Sequence, residues 1–266
     1  MFMPRPATLN RTTGFTLLEL LVTLAALMIF ALMLTPALAG KRTNSKAAQC
    51  LNNLRRLTGA WQMYATDNAD LLPGKLVANN ITWDSLSDNT NTTLMNDSSQ
   101  SVIARYVRSP DVFKCPADSY QSAGNPGPRV LSVSCNGLLG PNGISPALVL
   151  NQIAGRTYVT KFTKLTQLNK PGPAQTAAFF DEHPDSIDDA IFITSVGRAA
   201  SQAYWANLPG SNHDGAGTVS FVDGHAVLKR WQDVRTVPPV LFIAQKNLAV
   251  PGSVDYTWVN DRMPYQ

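Results

Sequence analysis

Three groups of side chains in this 266-residue chain have types and spacings that bear on chemistry. His213, Asp223 and His225 fall within NHDGAGTVSFVDGHAVLKRW, and histidine with carboxylate is the material of a metal or hydrolytic site. No third ligand and no nucleophile motif of the GxSxG or HExxH kind accompanies them, so the preferred reading is Asp223-Gly224 as a turn and His213 as a loop residue bonded to backbone. Asp181, Glu182, Asp185, Asp188 and Asp189 crowd five carboxylates into DEHPDSIDD. One calcium ion would relieve their mutual repulsion, since it accepts oxygen ligands from loops; the spacing is not that of an EF-hand, and an acidic solvated turn fits the same residues. Finally, Glu19 is the single charge in the apolar run GFTLLELLVTLAALMIFALMLTPALA at 14–39. A carboxylate there is costly and asks for a functional explanation.

The three cysteines, Cys50, Cys115 and Cys135, include no CxxC pair. A structural zinc site is therefore not expected from spacing. Outside the cytoplasm, one disulfide and one free thiol is the plain expectation.

The stretches that must position these groups differ in character. Residues 14–39 are long enough to span a bilayer as a helix. An ordinary secretory signal has a shorter apolar part, although Ala37-Leu38-Ala39 would suit signal peptidase. Residues 41–68 continue helically: Ala47, Leu51, Leu54, Thr58, Trp61 and Ala65 recur at three- and four-residue steps, widened by Leu57 and Tyr64. Residues 77–102 are rich in Asn, Ser, Thr and Asp and read as an exposed insertion. Ser109 to Asp118 reads as a turn-bounded strand closing on Cys115. Beyond it, 129–134, 157–162, 176–182, 190–195, 217–222 and 225–231 read as short strands. Asp223-Gly224 predicts a two-residue type I′ hairpin, which opposes Phe221 with Ala226 and Val219 with Leu228. The expected fold class is α+β: a long N-terminal α-helix, transmembrane in its first half, packed on a mainly antiparallel β-sheet head. The expected segments are a leader at 1–14, a transmembrane or filament-core helix at 15–39, an amphipathic spine at 40–70 and a globular head at 71–266.

Gly14-Phe15-Thr16-Leu17-Leu18-Glu19 resembles the cleavage and methylation motif of type IV prepilins and type II secretion pseudopilins. The resemblance implies cleavage after Gly14 by a prepilin peptidase and N-methylation of Phe15. Cleavage creates a cationic amine four residues from Glu19, and in a helical filament the carboxylate can pair with the amine of a neighbouring subunit. A buried ion pair is tolerable with both partners present and strongly unfavourable with one missing, so the pair helps set axial register. Pro36 matches the helix-loosening proline of such pilins, because it removes a backbone donor. The implied topology is a single pass through the bacterial inner membrane, leader cytoplasmic and head periplasmic, with assembly into a periplasmic or extracellular filament. Lys41, Arg42 and Lys46 run against that orientation by the positive-inside rule; the motif decides it, because its peptidase needs the leader in the cytoplasm.

His213 followed after nine residues by Asp223-Gly224 resembles the H-x9-DG signature of prepilin-processing-associated proteins. CLNNLR at 50–55, FKCP at 113–116, DEHPDS at 181–186 and WQDVRT at 231–236 extend the likeness over most of the chain. It implies architecture and a filament role rather than a catalytic site, and favours a Cys50–Cys115 disulfide tying helix to head. The structural calcium common in major pseudopilins supports the calcium reading by analogy.

The expected function is thus a structural filament subunit of a type II secretion system or related type IV pilus machinery, not an enzyme. Its implied partners are the prepilin peptidase/N-methyltransferase, other pilin-like subunits in a homo- or hetero-oligomeric filament, and the inner-membrane assembly platform. The alternatives are a minor pilin of an adhesion or DNA-uptake pilus, or a signal-anchored periplasmic metal-dependent enzyme using His213, Asp223 and His225. A net charge of +4 without a clustered basic face interleaved with aromatics speaks against nucleic acid as a partner.

Overall fold

The computed structural model describes residues 16–74, 76, 90–121, 127–150 and 152–266, with the side chains of 31–44 outside that description. In chain order the elements are α1 (Leu17–Asp67), α2 (Thr93–Asn96), β1 (Val133–Asn136), β2 (Gln152–Ile153), β3 (Arg156–Thr157), β4 (Ala177–Asp181), β5 (Ile191–Phe192), β6 (Tyr204–Trp205), β7 (Ala216–Phe221), β8 (Ala226–Arg230), β9 (Leu248–Ala249) and α3 (Val254–Asn260). Two compact units divide the chain, Met1–Asn44 and Ser45–Gln266. The architecture is α+β, and all sites described in the head belong to the second unit.

The main sheet has the order β5-β1-β4-β7-β8. Its pairings are antiparallel except for β1 with β5. There are also two small sheets, β2-β3 and β6-β9; two-residue strands of this kind are too short for alternation to show in sequence. Within the second unit, α1 lies on the face of β4 and β7. Side chains alternate across a strand, and the register of Phe179 opposite Ser220 puts Phe179, Asp181, Thr218 and Ser220 on the helix side. Trp61 meets Phe179 edge to face at 6.4 Å. Thr58 Oγ1 bonds Ser220 Oγ at 2.8 Å, and Gln62 Nε2 donates to the Val222 carbonyl at 2.6 Å. Phe180 points the other way and stacks on Phe192 at 4.2 Å.

The buried stripe of α1 runs through Ala47, Cys50, Leu54, Leu57, Trp61 and Ala65. It differs from the expected stripe in that Cys50 and Ala60 are buried while Leu51 and Tyr64 are only half-buried. Residues 110–113 form a 3₁₀ turn and not a strand. Ser109 Oγ accepts from the Asp111 N–H at 3.3 Å, and Pro110 takes the first position, where its missing donor costs nothing. The polar insertion is also anchored at its far end, since α2 buries Leu94 and Met95; residues 77–89 lie outside the described residues.

The β7-β8 hairpin corrects the expected register by one residue. Ser220, Val219 and Thr218 oppose Ala226, Val227 and Leu228. The Gly224 N–H reaches the Phe221 carbonyl at 2.8 Å and the Phe221 N–H reaches the His225 carbonyl at 2.9 Å, so the loop has three residues. Gly224 alone of the Asp-Gly pair has positive φ, +96°, whereas a type I′ turn needs both. The type I′ geometry occurs instead at Asp214-Gly215, with φ of +53° and +80°. There His213 and Ala216 exchange N–H···O bonds of 3.0 and 3.1 Å.

Candidate functional site

Two regions hold the residues that bear on function. At the start of α1, Thr16 is the capping residue. Its N–H and its Oγ1 both donate to Glu19 Oε2 at 2.9 Å, and the Glu19 N–H returns a 3.3 Å bond to Thr16 Oγ1. This is a reciprocal capping box, which satisfies helix donors that otherwise lack partners. It also turns the one carboxylate of the apolar run toward the helix end where residue 15 precedes it. The T-x-x-E spacing announces such a box in the sequence, beside the processing motif. Around it, Leu17 to Phe30 expose their apolar side chains on every face. Gly14 and Phe15 lie outside the described residues, as does the side chain of Pro36. Among the described residues, no helix is long and apolar enough to cross a membrane.

In the head, four side chains from four separate elements converge. Cys50 comes from the buried stripe of α1, Cys115 from the loop after the 3₁₀ turn, Asp181 from the end of β4, and His213 from the type I′ turn leading into β7. One ligand atom of each lies within 4.8 Å of those of the others, and all four residues are buried. Cys115 Sγ is 3.1 Å from His213 Nε2. Cys50 Sγ is 3.4 and 3.6 Å from the two Asp181 carboxylate oxygens and 3.1 Å from Thr218 Oγ1. Thr218 orients the carboxylate, its Oγ1 donating to Asp181 Oδ2 at 2.6 Å and its N–H at 3.2 Å. Cys115 is oriented in turn by its N–H, which donates to Ser132 Oγ at 2.7 Å.

Enclosure sets the electrostatics of this group. Burial pushes the Asp181 carboxyl up to about 6 against the lowering effect of Thr218, and lifts the Cys115 thiol. The bond to Cys115, with burial and the Asp181 charge, holds the Cys50 thiol well above its ordinary value. Burial lowers His213, so its imidazole is neutral near pH 7. A buried carboxylate, two thiols and a neutral imidazole face one another, and no Lys or Arg ion-pairs with Asp181 among the described residues.

Cys50 and Cys115 thus meet between helix and head as the resemblance implied, but as free thiols rather than a disulfide. Their common neighbours Asp181 and His213 occupy the same space. Cys135, two positions along the helix face of β1 from Val133, which opposes Asp181, is a buried free thiol outside the group. The five acidic residues, in contrast, are not gathered at one point among the described residues. Asp181 faces α1, and the adjacent Glu182 takes the opposite side. There Ser186 Oγ donates to Glu182 Oε1 at 2.7 Å, and burial pushes the carboxyl up to about 8. Asp185 accepts from the N–H groups of Leu241 and Phe242 at 2.7 and 2.9 Å. Asp188 pairs with Lys246, and Asp189 accepts from the Ile191 N–H at 3.0 Å. Asp185 and Asp188 both tie the 241–246 segment, while Glu182 and Asp189 bond within their own stretch of chain.

The H-x9-DG residues are split along β7. His213 sits at one end, inside the four-residue group. Asp223 and Gly224 sit at the other, where Asp223 Oδ1 lies 2.6 Å from His225 Nδ1 and His225 stacks on Phe221 at 4.2 Å. Five residue steps of β7 separate the ends, about 17 Å, so His213 and His225 do not form one site.

Residues 9–35 match the family model described as Prokaryotic N-terminal methylation motif. The match supports a type IV pilin-like prepilin, and with it processing by prepilin peptidase, pilin-type assembly and anchorage in the inner membrane. No curated protein and no solved structure matches the chain.

Proposed function

We infer that the chain is a structural filament subunit of a type II secretion pseudopilus or a related type IV pilus machinery. The observation that carries this reading is the methylation-motif match over residues 9–35. The Thr16–Glu19 capping box within it supports the same reading, because it presents the carboxylate at the helix end that cleavage would open. Cleavage after Gly14 frees the Phe15 amine; Glu19 then pairs with that of a neighbouring subunit, and the mismatch cost of a lone buried charge enforces register as helices bundle. The exposed apolar side chains from Leu17 to Phe30 suit both a lipid phase before assembly and a helical filament core after it. The task is mechanical: extension of the filament moves cargo or presents the heads. Partners on this reading are the peptidase/N-methyltransferase, other pilin-like subunits and the assembly platform. Mass spectrometry of the mature N-terminus tests it. N-methyl-Phe15 is the expected terminus; an intact Met1 or a cut after Ala39 overturns the reading.

A further inference from the structure

We propose that Cys50, Cys115, Asp181 and His213 hold one zinc ion, as a closed structural site that staples α1 to the sheet. This goes beyond the filament reading and stands on the head alone. Two sulfurs, an imidazole nitrogen and a carboxylate oxygen are a borderline-soft donor set, which suits zinc and not the oxygen-seeking calcium or magnesium. The spacing suits it as well. Metal–ligand distances of about 2.0–2.3 Å in a tetrahedron put neighbouring ligand atoms about 3.3–3.8 Å apart. Here Cys115 Sγ to His213 Nε2 is 3.1 Å, and Cys50 Sγ to the Asp181 oxygens is 3.4 and 3.6 Å. All four fall within 4.8 Å of one another, so sub-ångström shifts complete the geometry.

A second observation points the same way. His213 is 2% exposed, and among the described residues its Nε2 faces only the Cys115 sulfur, with no oxygen or nitrogen partner at that ring atom. A buried imidazole is ordinarily held by at least one oxygen or nitrogen partner. Beside it, the enclosed Asp181 has no ion-pair partner among the described residues. A divalent cation would satisfy the imidazole Nε2 and the carboxylate together. On binding, it replaces the two thiol protons, which leave to solvent, so two thiolates, one carboxylate and a neutral imidazole surround it. Thr218, bonded to Asp181 Oδ2 through N–H and hydroxyl, is a positioning residue of the kind that orients metal-bound carboxylates. Four protein ligands, all buried, leave no coordination position for substrate, so the site is structural. Its effect is a cross-link from α1 to β4 and β7, on the path by which a pull on the helix reaches the head.

The experiment uses the full-length chain in detergent micelles, stripped with chelator under reducing conditions and titrated with cobalt(II), then zinc. One equivalent of cobalt should produce a thiolate-to-cobalt charge-transfer band and the intense visible bands of a tetrahedral site, both abolished by one equivalent of zinc. Cys135→Ser should bind unchanged, Cys115→Ser should lose the charge-transfer intensity of one thiolate, and Thr218→Val should weaken binding by about tenfold to a hundredfold. Wild-type protein taken straight from membranes supplies a readout independent of any variant's folding. Denatured with chelator but no reductant, it should show three alkylatable thiols and one zinc per chain. A single alkylatable thiol would mean that a disulfide removes at least one of Cys50 and Cys115 as a ligand, and that overturns the proposal. So does cobalt uptake without a charge-transfer band. The N-terminal methylation state is read from the same sample, so failure here is distinct from failure of the filament reading.

Discussion

Two stretches of the same helix, residues 17–30 and 47–65, treat their apolar side chains in opposite ways. In the first, Leu17 is 76% exposed and Phe30 69%, and intervening leucines point outward on all sides. In the second, Leu54 and Leu57 are fully buried and Trp61 nearly so, covered by β4 and β7 of their own chain. Apart from Glu19 and Thr23 the first stretch is apolar all round and needs a medium from outside the molecule, as lipid or neighbouring helices provide. The second is amphipathic and finds its cover within the chain. One segment is thus left for assembly, and the other is spent on folding. Perturbing one should leave the other untouched.

The sharpest test of that independence is Glu19→Ala. Filament recovery by shearing and sedimentation should fall to background, while thermal unfolding of the head stays within error of wild type. Loss of head stability would break the division between the two stretches. The reciprocal change is Trp61→Ala. It opens a large hole against Phe179 and should destabilise the head by about 3–5 kcal/mol in urea unfolding, with N-terminal processing unaffected. A cost below about 1 kcal/mol would mean that α1 is not the spine of the head.

How much of this was legible beforehand follows from the kind of signal each feature sends. The apolar run, its single acid and the motif around them are local and were readable, as were much of the helix stripe and β4, β7 and β8 of the main sheet, whereas β1 starts four residues beyond the expected 129. The capping box was equally local, in T-x-x-E, but was overshadowed by the processing motif sharing those residues. The four-residue group was not readable as a unit, because its members stand far apart with no repeated spacing. Cysteine arithmetic even argued against zinc, since it counts close pairs and not a helix, a loop, a strand end and a turn that meet only after folding. The acidic run sends the opposite kind of signal: its proximity in sequence is undone when Asp181 and Glu182, adjacent on an extended chain, face opposite sides. The two Asp-Gly pairs show the limit of turn rules. The dipeptide permits type I′, but strand register decided that 214–215 takes it and 223–224 does not.

Those turns supply the next test. Gly224 has φ of +96°, a conformation that a Cβ strains by about 1–2 kcal/mol, so Gly224→Ala should lower head stability by that order in chemical denaturation. An unchanged midpoint would mean that residue 224 does not hold a positive φ in the folded head, against the three-residue loop and the type I′ turn alike. Gly59 runs the other way. It lies within α1, and a Cβ built on it would meet nothing within 4 Å. Gly59→Ala should stabilise the head by about 0.5–1 kcal/mol through helix propensity alone. Destabilisation would mean that another part of the chain packs against residue 59 when the head folds.

The smallest effect expected is electrostatic and concerns the head alone. Asp233 accepts from the Arg235 N–H at 3.0 Å and from its guanidinium at 2.7 and 3.0 Å. The Arg235 bond holds the carboxyl down at about 2, with burial opposing. Because the folded value lies below the ordinary 3.8, the native state favours the ionised form. The resulting stability is present above about pH 4 and lost as pH falls toward about 2. Arg235 is 40% exposed, so solvent screens the pair and the contribution is a fraction of a kcal/mol, not the full value of the shift. The stability gap between wild type and Asp233→Asn should therefore be small at neutral pH and close between about pH 4 and pH 2, the window set by the two carboxyl values. A gap that stays constant through that range would assign the effect to the backbone cap at residue 235 rather than to charge. The Glu19→Ala chain should reproduce the same profile, because the pair belongs to the head.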